Sequence, residues 1–334
     1  MNHGRQILNA LVFGACVTSL TAGFGAEQPR PLTADDIQIR DPFVVTDAAN
    51  GRYLLLSSYF VPKSRGFGFL GTGAKVYETR DLKTFKPAKP VLNIPKEYGC
   101  QAFWAPEMHR FRDKWYIFGT INYERGKAPG KGMRGTWTFV SDSMEGPFRP
   151  VGKRPITPVD WNALDGTFWE EDGKPYMVFC HEWTQIGNGE MCLVQMTDDL
   201  SAAVGAPKTL FKATDYTPTP ANDSRHKVWD NVTDGPFLYR SPTSGKLYMI
   251  WANVRRQGYA EIVCESASGK VAGPWTNFRL LFERDGGHGM LFRKLDGSLA
   301  FVLHQPNRSP YERAKFFDIE EAGGSLRIKR TEAK

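Results

Sequence analysis

Arg40-Asp41-Pro42-Phe43-Val44 is the stretch that decides the fold, because four later stretches of the chain repeat its pattern. In every copy a polar turn leads into a short apolar strand, and a tight turn then leads into a second strand. The other copies begin at Trp104, Asp165, Asp234 and Gly287. Their spacing of about 60 residues indicates an internal repeat, which has to be interpreted before any single element.

The parts of each repeat beyond the hairpin also correspond to one another, in alternation. Thr79-Arg80-Asp81-Leu82 in the first copy matches Thr197-Asp198-Asp199-Leu200 in the third, and Gly146-Pro147-Phe148 in the second matches Gly273-Pro274-Trp275 in the fourth. Each copy is therefore a meander of about four strands, and several such sheets can bury their faces only by packing radially. The sequence predicts an all-β fold, a five-bladed β-propeller with four-stranded antiparallel blades around a central channel.

Composition agrees with a large all-β domain. The 334 residues are 41% hydrophobic and 13% aromatic, with 33 glycines and 22 prolines, and long apolar runs at helical period are missing. No linker divides residues 33–328, which we interpret as one catalytic domain. The net charge of +7 comes from scattered Lys and Arg, which indicates a solvated surface, with attraction to an acidic polymer as the alternative. The sequence has no clustered basic module of the kind that would indicate nucleic-acid binding.

The first 26 residues differ from the rest of the chain. Arg5 precedes the apolar stretch from Ile7 to Leu20, and small residues follow it. This pattern predicts a secretory signal peptide over residues 1–26 and hence an exported protein, periplasmic or secreted. Lipoprotein anchoring at Cys16 is disfavoured, because Phe13 fits the processing pattern badly. No later stretch is long enough to span a bilayer.

The four remaining cysteines, Cys100, Cys180, Cys192 and Cys264, lack the spacing of metal ligands. Cys180 and Cys192 fall in neighbouring predicted strands of one hairpin. They could form a disulfide in an oxidising compartment, or they could be small buried apolar side chains.

The innermost strands of a propeller all begin at the same end of the channel, so the five repeat starts should converge there. The residues concerned are Asp41, Trp104 with Glu107, Asp165, Asp234 and His288. Burying an unpaired carboxylate costs on the order of several kcal/mol. A single Asp at such a point could simply cap its turn, whereas three at the same point of a repeat indicate catalysis.

These motifs resemble glycoside hydrolase family 43 over nearly the whole mature chain. They are Arg-Asp-Pro-Phe at 40–43, Trp-Ala-Pro-Glu at 104–107, Leu-Asp-Gly-Thr-Phe at 164–168, Asp-Gly-Pro-Phe-Leu at 234–238 and Gly-His-Gly at 287–289. The resemblance implies a five-bladed propeller that removes arabinofuranose, xylose or galactofuranose units from plant-type polysaccharides with inversion. It also implies that Asp41 is the general base and that Asp165 tunes the acid and orients the sugar.

Where the family usually has a glutamate as general acid, the matching residue is Asp234. Inverting hydrolysis needs one carboxylic acid on the leaving oxygen and one carboxylate that activates water, roughly 6.5–9.5 Å apart. The acid must keep its proton near neutral pH, and repulsion from a third carboxylate can raise its pKa. We expect Asp165 to have that effect. Glu182, at the end of an apolar strand that returns beside Asp165, competes with Asp234 for the role of acid.

Further residues could bind the sugar. They are Trp104 as a stacking platform, Glu107, His181 and Trp183 beside Glu182, His288 at the start of the fifth copy, and Arg308 as a hydroxyl donor. The stretch from His181 to Trp183 could equally form a surface salt bridge or a turn. We expect no required cofactor, although the resemblance allows a structural Ca²⁺ in the channel near His288, where a structural histidine is the alternative.

Together these features predict a glycoside hydrolase that acts on terminal furanose units. The favoured substrate is an α-L-arabinofuranosyl unit. The alternatives are a β-D-galactofuranosidase, a β-xylosidase, or a carbohydrate-binding propeller that has lost catalysis.

Overall fold

The computed structural model describes residues 30–61, 69–216, 231–255 and 257–329. The signal peptide proposed for residues 1–26, with Cys16, lies outside these ranges. The described residues from 31 onward belong to one compact unit. Within them no helix is long and apolar enough to cross a membrane.

Five four-stranded antiparallel sheets form the blades, which confirms the predicted all-β propeller. Blade 1 contains β2, β3, β4 and β6, at Phe43–Asp47, Arg52–Val61, Phe69–Thr79 and Lys89–Asn93. Blade 2 contains β7 to β10, at Cys100–Phe111, Lys114–Tyr123, Arg134–Ser141 and Arg149–Pro150. Blade 3 contains β11 to β14, at Ala163–Glu171, Lys174–His181, Glu190–Met196 and Ala203–Lys212.

Blade 4 contains β15 to β18, at Asp234–Arg240, Leu247–Arg255, Gly258–Ser266 and Trp275–Phe282. Blade 5 contains β19 to β22, at Gly287–Arg293, Leu299–Gln305, Arg313–Ala322 and Ser325–Ile328. A short sheet pairs β1 with β5, at Leu32–Thr33 and Thr84–Phe85. The helices in the described ranges are single turns: α1 at Trp183–Ile186, and 3₁₀ turns at Ala34–Asp36, Ala48–Asn50, Lys96–Tyr98 and Ala213–Tyr216.

The second strands of blades 4 and 5 are buried on both faces, because each blade lies between two neighbours. The first seven residues of β16 and the first six of β20 are all buried, and such strands read as continuous apolar runs rather than alternating ones. Aromatic pairs fill the space between blades. Phe118 stacks on Phe168 between blades 2 and 3, and Tyr53 meets Phe292 between blades 1 and 5.

The segment before blade 1 joins the first blade to the last. Leu32 in β1 pairs with Phe85 on blade 1. A few residues later, the carbonyl oxygen of Asp35 accepts a hydrogen bond from Arg313 on blade 5 at 2.7 Å, and the amide of Ile39 donates to the carbonyl of Glu312 at 3.2 Å. These contacts bridge the two ends of the ring of blades.

One residue at the start of each inner strand has a positive φ, and it occupies the same position in all five blades. The five residues are Asp41 (51°), Ala105 (44°), Asp165 (56°), Gly235 (48°) and His288 (50°). A β-bulge interrupts strand pairing at this point in blades 2 to 5. Aspartate, glycine and histidine tolerate this conformation better than most residues, which explains part of the sequence repeat.

The expectation that Asp234 is equivalent to Asp41 and Asp165 is wrong by one residue. The positive φ in blade 4 belongs to Gly235, and Asp234 pairs across the hairpin with Ala252 just before the bulge. A side chain at position 235 would place its Cβ 2.6 Å from the ring of His288. Glycine is therefore required there, and the blade 4 carboxylate comes from the preceding position.

Backbone N–H groups at or next to the positive-φ positions bond to the preceding blade, and a side chain there accepts each of four such hydrogen bonds. The four pairs, donor first, are Asp41–His304 (3.2 Å), Asp165–Thr120 (2.9 Å), Gly235–Asp165 (3.2 Å) and Gly289–Glu261 (3.2 Å). Buried backbone donors need such partners. The side chains therefore fix the strand starts of blades 1, 3, 4 and 5 against the neighbouring blade at the mouth of the channel.

Of the two possibilities left open for Cys180 and Cys192, the structure shows small buried side chains without a disulfide, and all four described cysteines are free and buried. Cys180 pairs with Met191 across the strands, and Cys192 pairs with Phe179. The two cysteines are therefore offset by one residue and point to opposite faces of the sheet.

Candidate active site

Three aspartates and a histidine come together where the inner strands of blades 1, 3, 4 and 5 begin. His288 Nδ1 lies 3.2 Å from Asp41 Oδ1 and 3.8 Å from Asp165 Oδ2. The amide next to Asp234, that of Gly235, donates to the same Asp165 oxygen. Asp41, Asp165 and His288 are each at most 9% exposed. The side chains of Asp41, Asp165 and His288 therefore meet at one point, and the backbone next to Asp234 contacts them.

Asp41 is held as a carboxylate. Burial alone would raise its pKa, but the charges around it, His288 first, lower the pKa below the ordinary value of 3.8. Arg40 contributes from 3.9 Å. Burial by itself would lower the pKa of His288. The negative charges of Asp41 and Asp165 outweigh this effect and raise the pKa to about 9. At neutral pH the centre of the cluster is therefore an imidazolium beside an ionised Asp41.

His304, on the second strand of blade 5, is neutral and fixes the backbone of Asp41. Burial, with the nearby charge of Arg40, lowers the pKa of His304 to about 3. Its Nδ1 accepts the Asp41 N–H, so Nε2 carries the proton and donates to Asn307 Oδ1 at 3.1 Å. The 3.4 Å approach of Nδ1 to Asp41 Oδ1 is consequently not an ion pair.

Asp165, which is buried, and Asp234, which is half-buried, both have a pKa above the ordinary aspartate value of 3.8. Burial raises the pKa of Asp165 to about 8, even though the charge of His288 acts in the opposite direction. Burial also raises the pKa of Asp234 to about 6, while His288 and the Tyr259 hydroxyl, which donates to Asp234 Oδ2 at 3.0 Å, lower it. One ionised carboxylate and two carboxyls with raised pKa values thus share one mouth.

This arrangement can support acid–base chemistry on a bond placed between the aspartates. The cause of the raised pKa differs from the sequence-based expectation, which was repulsion by Asp165. Burial is the largest cause, and the carboxylates that add to the rise at Asp234 are Asp41 and Glu182. Asp165 takes its proton more readily than Asp234 does, so it contributes little negative charge near neutral pH.

Residues 35–324 match the family description "Glycosyl hydrolases family 43". The chain belongs to glycoside hydrolase family 43. The first of the similar solved structures is an endo-arabinase from Bacteroides thetaiotaomicron VPI-5482. It is 33% identical with a TM-score of 0.75, and the match covers 88% of this chain and 98% of that one. This family 43 protein is a glycosidase, and its substrate is a carbohydrate.

Two further solved structures share the fold. An endo-1,4-β-xylanase from the same organism is 24% identical with a TM-score of 0.69, and the match covers 90% of this chain and 97% of that one. An α-L-arabinofuranosidase from Lactobacillus brevis is 19% identical with a TM-score of 0.63, covering 87% and 93%. Among curated proteins no match is found.

Glu182 lies close to this cluster in the family 43 protein, but an arginine holds it. Arg134 Nη1 donates to Glu182 Oε1 at 2.9 Å, and the Arg134 guanidinium lies over the Trp104 ring at 4.8 Å. One oxygen of Glu182 is therefore already bonded to the guanidinium, and this contact holds the side chain against blade 2. The second oxygen, Oε2, is buried without a hydrogen-bond partner, so Glu182 is better placed to accept a sugar hydroxyl.

The predicted sugar-binding residues differ in their burial and in the side chains that they contact. Trp104 has one face covered by Arg134. His181 is buried and stacks on Trp161 at 4.0 Å, so it supports the Trp161 ring rather than facing the channel. Trp183 is half-buried at the start of α1.

Glu107 and Arg308 are the remaining two. Glu107 is buried and bonded to His109 at 2.8 Å, and its charge acts on His288. Arg308 is exposed, with its guanidinium over the Tyr311 ring at 5.5 Å. No described hydrogen bond or ion pair connects Arg308 to the three aspartates, whereas Arg40 lies beside Asp41.

Three residues beside the cluster are not marked by the repeated motifs: Tyr259, Arg134 and Glu261. Tyr259 and Glu261 lie two residues apart on β17. Tyr259 donates to Asp234 of the same blade, and Glu261 accepts the Gly289 amide of blade 5. Period-2 spacing on a buried strand was the available signal. Nothing in the sequence marks Arg134, which lies on the third strand of blade 2, outside the repeated motifs.

The residues near His288 offer few free ligands for the Ca²⁺ that the resemblance allows there. Ca²⁺ takes six to eight oxygen ligands, but an imidazolium already lies between Asp41 and Asp165. Among the described residues, no group of three His, Cys, Asp or Glu side chains is arranged to hold a metal ion.

Glu261 predicts a specific pH dependence of stability. It is fully buried with Oε1 unpaired, and burial raises its pKa to about 8 from 4.5. Because the folded pKa is higher, its stabilisation is complete below pH 4.5 and is lost as the pH rises through 8. We expect Glu261→Gln to flatten the fall in unfolding free energy between pH 5 and 8 by about 1.4 kcal/mol per pH unit.

Denaturant unfolding of both proteins at several pH values measures this slope. Glu320→Gln, at an exposed position of the same propeller, is the control and should leave the slope unchanged. Parallel pH curves for the wild type and Glu261→Gln would contradict the assignment of a buried, neutral Glu261.

Proposed function

We propose that this glycosidase hydrolyses α-L-arabinofuranosyl linkages with inversion, with Asp41 as the general base and Asp234 as the general acid. The observation that carries the proposal is the cluster itself: an ionised Asp41 across His288 from two carboxyls with raised pKa values. The 33% identity to an endo-arabinase supports the choice of sugar.

In the proposed reaction, Asp41 takes a proton from a water molecule whose oxygen bonds to the anomeric carbon. The bond from that carbon to the leaving oxygen breaks, and this oxygen receives the proton of Asp234. The products are a free sugar of inverted anomeric configuration and an alcohol. Asp165, bonded to the Gly235 amide, holds the blade 4 turn in place and can bind a sugar hydroxyl.

Removal of terminal units is our first proposal, and endo action on arabinan is the second, which the endo-arabinase likeness favours. Assays on aryl α-L-arabinofuranoside, aryl β-D-galactofuranoside, aryl β-D-xyloside and linear arabinan distinguish these activities. Release of arabinose alone from arabinan supports terminal action, and release of oligosaccharides supports endo action. Turnover of only the xyloside or the galactofuranoside would contradict the proposed sugar.

The raised pKa of Asp234 predicts the alkaline limb of the pH–rate profile. Since the acid must be protonated, kcat/KM should fall above about pH 6, and since Asp41 must be ionised, activity should persist to below pH 4. Tyr259→Phe removes a hydrogen bond that stabilises ionised Asp234, so the limb should move upward. A shift of about 0.4–1 pH unit follows from a bond that contributes roughly 0.5–1.5 kcal/mol.

The measurement is kcat/KM against pH for the wild type and Tyr259→Phe. Tyr239→Phe, whose hydroxyl bonds Arg293 instead, is the control and should keep the wild-type limb. A downward shift in Tyr259→Phe would exclude Asp234 as the titrating acid.

We further propose that the reaction needs no metal and that the protein is exported. The imidazolium of His288 supplies the positive charge between the carboxylates, so treatment with EDTA should leave kcat unchanged. The apolar stretch behind Arg5 supports export, and recovery of activity only from the cytosolic fraction of expressing cells would contradict it.

A further inference from the structure

Blade 2 carries a cavity separate from the aspartate cluster. Its volume is about 250 Å³, a little below the roughly 300–1,000 Å³ of ordinary ligand pockets, which suits one sugar unit. Tyr98, Tyr123 and Trp137 line it, and the rings of Tyr98 and Trp137 meet edge to face at 5.0 Å. Aromatic walls of this kind are suited to the apolar face of a sugar ring.

The polar groups of the cavity favour an anion. Lys127 and Lys153 line it, are exposed, and form no described ion pair. Glu97 is the one acidic lining residue, so the lining has an excess of positive charge. The Tyr123 hydroxyl accepts the Trp137 indole N–H at 2.8 Å, which leaves its own proton free to donate. Burial raises the pKa of this hydroxyl to about 12, so it remains a donor at neutral pH.

The cavity opens at the same end of the propeller as the aspartates. Tyr98 precedes the start of β7, Tyr123 ends β8, and β9 begins at Arg134, which contacts Glu182. The loop from Lys127 to Arg134 therefore runs from the cavity to the catalytic cluster. Seven residues span at most about 25 Å, so one polysaccharide chain can reach both places.

We infer that this blade 2 cavity is an accessory binding site for a carboxylate-bearing sugar unit, a hexuronate, of an acidic polysaccharide. The unpaired lysines, the free tyrosine donor and the aromatic walls match the carboxylate, hydroxyls and ring face of such a unit. The site explains one use of the excess positive charge of the chain, and it does not require that Asp41 or Asp234 act as proposed.

Isothermal titration of the full chain with oligogalacturonate tests the inference, with the fully methyl-esterified oligomer as the neutral probe. We expect the acid form to bind at least about tenfold more tightly than the ester, as expected for charge-assisted hydrogen bonds. The double variant Lys127→Ala/Lys153→Ala should lose a similar factor for the acid form. Its turnover of an aryl arabinofuranoside should match the wild type.

The control double variant Lys83→Ala/Lys174→Ala removes the same charge from exposed positions at the opposite end of the propeller, one in a bend and one at the start of β12. It should keep wild-type affinity. Equal affinity for acid and ester, no binding of the acid, or an equal loss in both double variants would overturn the inference. Because binding is measured without turnover, these outcomes are independent of the proposed reaction.

Discussion

Asp41→Asn is expected to lower kcat by roughly 10²–10⁴-fold or more, because it removes the general base. Asparagine nearly preserves the volume and tolerates the φ of 51° at this position. The amide of residue 41 can still donate to His304, so the strand start should keep its geometry. Turnover of an aryl α-L-arabinofuranoside, with thermal unfolding of the same preparation, measures activity and fold separately.

Asp172→Asn is a matched control, because Asp172 also has a positive φ, 52°, but lies exposed at the opposite end of the propeller. Its kcat should stay near that of the wild type. Near wild-type kcat in Asp41→Asn would show that Asp41 is not the base.

Asp234→Ala is expected to have an effect that depends on the leaving group. An aryl glycoside with a good leaving group needs little protonation, so its hydrolysis should suffer much less than that of an alkyl-linked arabino-oligosaccharide. We expect the two losses to differ by roughly 10²-fold, which is within the contribution of a general acid. The ratio of kcat/KM values for the two substrates is the measurement.

Glu182→Ala is the comparison, since Glu182 is the competing candidate for the acid. Glu182 is held by Arg134 at 2.9 Å, so we expect it to bind substrate rather than donate a proton. Its removal should therefore lower kcat/KM for both substrates by similar factors. If Glu182→Ala keeps kcat/KM only for the aryl substrate, and Asp234→Ala lowers kcat/KM equally for both substrates, Glu182 is the acid.

The fold was predictable because the repeat consists of local sequence patterns. Turn residues, short apolar strands and the positive-φ positions recur along the chain, and a radial array is the arrangement that buries all of these sheets. Asp41, Asp165 and His288 could be placed for the same reason, since each stands at the positive-φ position of its own blade.

What the sequence could not supply are the contacts between blades and the details of strand register. The one-residue offset of Asp234 follows from the close approach of His288 to Gly235, a contact between residues far apart in sequence. Tyr259 and Arg134 act on residues of other strands through side chains that no local motif marks. The sequence left a disulfide between Cys180 and Cys192 open, because neighbouring strands do not imply directly opposed residues.

Rescue of Asp41→Gly by azide tests the central claim most directly. Glycine accepts the φ of residue 41 and leaves space for azide, a nucleophile that needs no base. With an aryl α-L-arabinofuranoside, azide should attack the anomeric carbon as the aryl oxide leaves. We predict restored turnover and, by NMR, an arabinofuranosyl azide of inverted, β configuration. An azide product of retained configuration, or a variant as active without azide as the wild type, would contradict the account.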